Sequence, residues 1–194
     1  MAYTNDSFLK AVEEHFDFIA SRVDLKSSPV GYMVFEMQMR VGLNGKTAVV
    51  DIETSGFAPY GSMVTFGVVK GDRMLIFQRL SSTPEARGYF KDKILTELVE
   101  LDGMDVFAFC HSFEKGFLGD KVKWRELQPA CGGKKDEVVK FKHTHFGEGK
   151  DVPVWWKSWK KTKDIEYIRN IIVHNANCLV KEVAILLASE ENSF

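Results

Sequence analysis

The chain of 194 residues has little cysteine, almost no net charge, no long apolar run, no internal repeat and no low-complexity segment. Each shortage excludes something. The three cysteines, Cys110, Cys131 and Cys178, are odd in number and lack C-x-x-C spacing, so neither a disulfide framework nor a zinc ribbon is indicated and reduced thiols are expected. A formal net charge of −1 supplies no global field for attracting nucleic acid, so any such role must rest on local clusters. Uninterrupted apolar stretches stay under ten residues, short of a bilayer span, and the opening "MAYTNDSFLKAVEEHF" has no signal-peptide pattern, so a cytoplasmic location without membrane contact is expected. The stretch "ACGGKKD" lacks the spacing and the Gly-Lys-Ser/Thr ending of a phosphate loop. What is present, 45% hydrophobic and 27% charged residues, suits one globular α/β domain with a single core.

The spacing of Phe8, Val12, Phe16, Ile19 and Val23, with Asp6 or Ser7 as cap, predicts an amphipathic helix within residues 1–28, appended to a main domain at 29–194. "KSSPVG" interrupts the pattern, and "YMVFEMQMRVGL" reads equally as strand or helical turn. "TAVVDIE", "SMVTFGVVK" and "RMLIFQRL" are strand-like, the last two joined at Gly71-Asp72. A helix follows with Phe90, Ile94, Leu98 and Leu101 on one face, then the short apolar strand "DVFAFC". Residues 119–152 are polar and unassigned, whereas 164–191 carry a helical stripe of Ile168, Ile171, Ile172, Leu179, Val183, Leu186 and Leu187, with a bend expected near His174 and Asn175. The order predicts a mixed β-sheet flanked by helices.

Within "VVDIETSGF", Asp51 and Glu53 are two apart on a strand and project to the same face, while Val50 and Ile52 point the other way. Two adjacent carboxylates repel, and a divalent cation relieves that repulsion; the alternative is a solvated strand end. "VVDIETSG" resembles the first motif of the DEDD exonucleases of the ribonuclease-H-like fold. The resemblance implies that Asp51 bridges two ions, that Glu53 binds one, and that Thr54 and Gly56 shape the turn beside a terminal nucleotide. Carboxylate ligands suit Mg²⁺ or Mn²⁺.

Two later segments extend the likeness. "FCHSFEKGFL" offers Glu114 as the second-site acid, the alternative being an exposed helical turn. "GKDVPVWWKSWKKTKDIEYIRNIIVHNANCL" resembles the C-terminal part of the YprB-like exonuclease group at Gly149, Val152, Pro153, Trp156, His174, Asn175 and Leu179, but puts Cys178 where that group has a ligand Asp. His174 would then orient or deprotonate the attacking water. His174, Cys178 and Glu182 form a ladder at four-residue spacing, so Glu182 can also reach a displaced ion; the alternative is that His174 caps or packs the helix and Glu182 is solvated.

From Lys134 to Lys163 there are nine lysines against four acids, with Trp155, Trp156 and Trp159 among them. Lysines neutralise phosphates and indoles stack on bases, so Lys157, Lys160 and Trp156 are expected to contact single-stranded DNA or RNA ends, as the resemblance implies for Thr54; the alternative is that the tryptophans anchor the segment on the core. His143 and His145 have no ligand pair nearby and read as surface residues. The function implied is a metal-dependent 3′-to-5′ exonuclease that uses Mg²⁺ or Mn²⁺ in two-metal hydrolysis. The alternative is a catalytically impaired ribonuclease-H-like module that only binds nucleic acid.

Overall fold

The computed structural model describes residues 14, 31–39, 42–56, 61–127, 135 and 148–191. Its centre is a six-stranded sheet of β1 (Tyr32–Gln38), β2 (Thr47–Thr54), β3 (Met63–Lys70), β4 (Arg73–Arg79), β5 (Asp105–Ala108) and β6 (Lys123–Glu126), in the spatial order β1-β4-β3-β2-β5-β6. β1 through β4 pair antiparallel, and β2, β5 and β6 run parallel, so the sheet is mixed as expected. The β3–β4 hairpin turns at Gly71, whose φ of 57° is the left-handed conformation that a tight turn favours. The segment left open between strand and helix is β1, which pairs with β4 along its whole length.

Among the described residues four helices cover the sheet: α1 (Pro84–Glu100), α2 (His111–Leu118), α3 (Val152–Thr162) and α4 (Glu166–Glu191). Thr83 caps α1 by accepting from the Ala86 amide at 3.2 Å, and Pro84 starts its first turn. On one face, Phe90, Ile94 and Leu98 of α1 pack with Ala48, Val50 and Ile52 of β2. On the other, Val49 of β2 packs with α4 through Ile168, Ile171, Ile172, Leu179, Val183 and Leu186. Strand alternation therefore turns Asp51 and Glu53 toward α4. All eight residues of β2 are buried because helices cover both faces of this central strand.

Several expectations are corrected. No break interrupts α4 at His174 or Asn175; it continues as one 26-residue helix. The unassigned 119–152 segment contains β6 and a 3₁₀ turn at Gly149–Asp151, which Glu148 and Asp151 cap reciprocally. Glu166–Ser189 is long and apolar enough to cross a bilayer by length and composition, but 78% of its most apolar window is buried inside this fold, so packing on the sheet accounts for its apolarity. Cys110 is disulfide-bonded and Cys178 is a free thiol, which corrects the expectation of three reduced thiols; cysteine spacing alone does not reveal which Cβ atoms approach. The N-terminal helix, apart from exposed helical Glu14, and the residues Cys131, His143 and His145 lie outside the described residues.

Candidate metal centre

The site is built where β2 passes beneath α4. A bare backbone position on β3 allows the helix to come close: Gly67 lies directly across from Asp51 in the sheet, and a Cβ there would stand 2.1 Å from Asn175 Oδ1 and 2.7 Å from Leu179 Cδ1. With α4 seated over this glycine, Asn175 Nδ2 donates to Asp51 Oδ2 at 2.7 Å and to the Asp51 carbonyl at 3.2 Å. Asn175 is fully buried, so these bonds fix the Asp51 carboxylate.

Beginning at His174, next to Asn175 on α4, the ladder of His174, Cys178 and Glu182 runs about two turns along the helix. His174 Nε2 is 3.4 Å from Glu53 Oε1, and Cys178 Sγ is 3.8 Å from His174 Nε2. Ligand atoms of Glu53, His174 and Cys178 all lie within 4.8 Å of one another, close enough to hold one metal ion. The Trp155 ring meets the imidazole edge-on, with centroids 6.2 Å apart. Glu114 comes from α2, is 5% exposed, and is therefore not on an exposed helical turn.

The main finding that sequence reasoning missed is Lys135. Its ammonium donates to Asp51 Oδ1 at 2.6 Å and lies 2.5 Å from Glu182 Oε1, with the Phe109 ring centroid 5.7 Å away. The residue comes from a polar stretch 84 positions beyond Asp51, and no local pattern marks it among its neighbouring lysines. Asn175 belonged to the matched motif but had no role attached. Glu182 is fully buried, which corrects the alternative that it is solvated.

Among the described residues four carboxyls and a thiol thus gather around the Lys135 ammonium, with Lys181 acting on the thiol as well, and the directions of their shifts follow from this crowding. Burial pushes Glu53 well above the ordinary carboxyl range, and the nearby Asp51 and Cys178 push it further, against the pull of His174 and Lys135. Glu114 is raised to about 8, first by burial and then by Asp51. Burial also raises Glu182, with Lys135 opposing, and lifts the Cys178 thiol to about 11. Burial alone would lower Lys135, yet Asp51, Cys178 and Glu182 together hold it well above the usual lysine value, so it stays charged. Oε2 of Glu114 and Oε2 of Glu182 have no hydrogen-bond partner among the described residues. Buried oxygens left this way indicate unmet demand for positive charge.

The expected nucleic-acid contacts divide. Lys157 and Lys160 are exposed on α3. Thr54 is nearly buried, and its hydroxyl donates to the Gly56 carbonyl at 2.8 Å, after a register shift between Glu53 and Thr54. Trp156 is corrected: it is 2% exposed, with the Arg79 guanidinium 5.0 Å from its ring centroid, so its ring cannot stack on a base. Trp159 is likewise buried and donates to the Leu80 carbonyl at 2.8 Å. These two tryptophans anchor α3 because a helix of eleven residues needs large buried anchors to stay docked. Trp155, half-buried beside His174, is the indole nearest the candidate centre.

No family model, curated protein or solved structure matches this chain.

Proposed function

We propose that the protein is a metal-dependent phosphodiesterase, a 3′-to-5′ exonuclease of ribonuclease-H-like design acting on DNA or RNA ends. The observation that carries this reading is the gathering of Asp51, Glu53, Glu114 and His174, from a strand and two separate helices, around one strand end. Asp51, Glu53 and Glu114 provide the hard oxygen ligands that Mg²⁺ or Mn²⁺ takes, and the unpartnered oxygen of buried Glu114 fits such a role. Cys178 fits Mg²⁺ poorly and Mn²⁺ better, since a thiolate is a soft donor. These residues would hold a divalent ion whose chemistry, when bound, would be polarisation of a phosphate and a bound water more acidic than bulk water.

The chain's own groups do the rest. Asn175 holds Asp51 in one orientation. His174, with Nε2 facing Glu53, is the group that accepts a proton from the attacking water, and Trp155 limits the motion of its ring. Exposed Lys157 and Lys160 draw the phosphate backbone toward α3.

A second reading, a module that binds nucleic acid without cutting it, is favoured by the ion pair between Lys135 and Asp51, which occupies an oxygen that catalysis by two metals needs. Incubation with labelled single-stranded DNA and RNA in Mg²⁺, Mn²⁺ or chelator, beside an Asp51→Ala control, separates them. Ladders of shortened products that require metal and vanish in the control support hydrolysis; retention of intact strands without products supports the binding module.

A further inference from the structure

We propose that the centre takes a single transition-metal ion of the zinc class, held by Glu53, His174 and Cys178, and that the Lys135 ammonium is the permanent second cation, held between Asp51 and Glu182. The inference shares only Glu53 with the ligand set of the reading above, makes His174 a ligand in place of a base, and does not depend on any cleavage activity.

Distances support the first half. A tetrahedral ion with bonds of about 2.0–2.2 Å to nitrogen and oxygen and about 2.3 Å to sulfur has N···O edges of about 3.4 Å and N···S edges of about 3.6 Å. The side chains stand at 3.4 Å for Glu53 Oε1 to His174 Nε2 and at 3.8 Å for His174 Nε2 to Cys178 Sγ, with all three ligand atoms within 4.8 Å of one another, so side-chain adjustment of at most about 1 Å closes the triangle around an ion. Three protein ligands leave the fourth position open, the pattern of a catalytic rather than a structural ion. Nitrogen, sulfur and oxygen donors select Zn²⁺ or Co²⁺ over Mg²⁺. Charge agrees: one carboxylate and one thiolate balance a divalent ion, with the imidazole neutral.

Lys135 supplies the second half. Its nitrogen stands 2.6 Å from Asp51 Oδ1 and 2.5 Å from Glu182 Oε1, so it bridges two buried carboxylates as a small cation would. Asp51 Oδ2 is committed to Asn175 Nδ2 at 2.7 Å. With both Asp51 oxygens engaged, this carboxylate has no free oxygen for a second metal while the lysine stays.

Titrating the full chain with Co²⁺, alone and without nucleic acid, reads both halves. One Co²⁺ per chain is expected, with a near-ultraviolet thiolate-to-cobalt absorption that Cys178→Ser abolishes while binding weakens at least about tenfold. Lys135→Met is expected to raise the count from one ion to two. In the unaltered protein, Zn²⁺ should slow alkylation of Cys178, a readout that needs no variant to fold. Two ions on the unaltered protein, an unchanged count in a folded Lys135→Met, absence of the thiolate band, or alkylation indifferent to Zn²⁺ would each overturn the proposal. An ion bound as described in a protein that cleaves nothing would leave it standing and remove the exonuclease reading alone.

Discussion

Replacing Gly67 by alanine tests how the site is positioned, because the glycine works through Asn175 rather than by touching the acids. The new methyl would stand 2.1 Å from Asn175 Oδ1. That side chain cannot swing away without giving up its 2.7 Å and 3.2 Å bonds to Asp51, so the clash is relieved either by lifting α4 or by breaking them. Overpacking of this kind costs about 1–3 kcal/mol. Removing the donor in Asn175→Ala costs a similar amount, about 1.5–3 kcal/mol, since the acceptor is a buried carboxylate. In the double variant the Oδ1 clash no longer exists, and only the mobile end of Leu179, at 2.7 Å, remains to be moved. The two losses should therefore overlap by about 1–2 kcal/mol rather than add. Urea melts of the four proteins at a common pH, with m-values compared to confirm equal unfolding, give the coupling directly. In thermal melts, Gly67→Ala alone should lower Tm by about 2–4 °C for each kcal/mol lost. If Gly67→Ala costs the same in both backgrounds to within about 0.5 kcal/mol, the glycine is not what seats Asn175 on Asp51, and this account of the site fails.

Other expectations address separate elements. Trp156→Ala should destabilise the fold by about 3–5 kcal/mol in denaturant melts, as for a buried core aromatic, and a loss below about 1 kcal/mol would contradict its anchoring of α3. Charge reversal at both Lys157 and Lys160 should leave Tm within a few degrees yet weaken single-strand binding, flattening the dependence of log affinity on log salt by about 1.4; an unchanged slope would place the phosphates elsewhere. Metal-free protein should lose stability as pH rises. Glu114 is raised from 4.5 to about 8, so its protonated form favours the folded state, a contribution complete below 4.5 and lost as pH climbs through about 8. Glu53 and Glu182 act in the same direction. For Glu114 alone the loss is on the order of 3–5 kcal/mol, and melts of chelated protein at pH 5 and pH 8 that give equal stability would refute it.

Local pattern was enough for the elements that bury a regular apolar face. The stripe from Ile168 to Leu186 specified α4, and the alternation in "VVDIE" specified which way Asp51 and Glu53 turn, because side-chain direction along a helix or strand is a property of nearest neighbours. The role of Trp156 was not decided at that level, since an indole among lysines serves a core anchor or a base platform equally until its burial is known. The continuity of α4 through His174 and Asn175 depended on the sheet beneath it, which holds polar residues in helical form by giving their side chains partners.

What only the tertiary structure decided is where the charges meet. The acids were visible one by one, but the ammonium of Lys135 arrives from a distant polar stretch to bridge Asp51 and Glu182, and no spacing rule connects those three positions. The physical reason is that Coulomb interactions in a buried site depend on distance through space, and chain order constrains that distance only within a few residues.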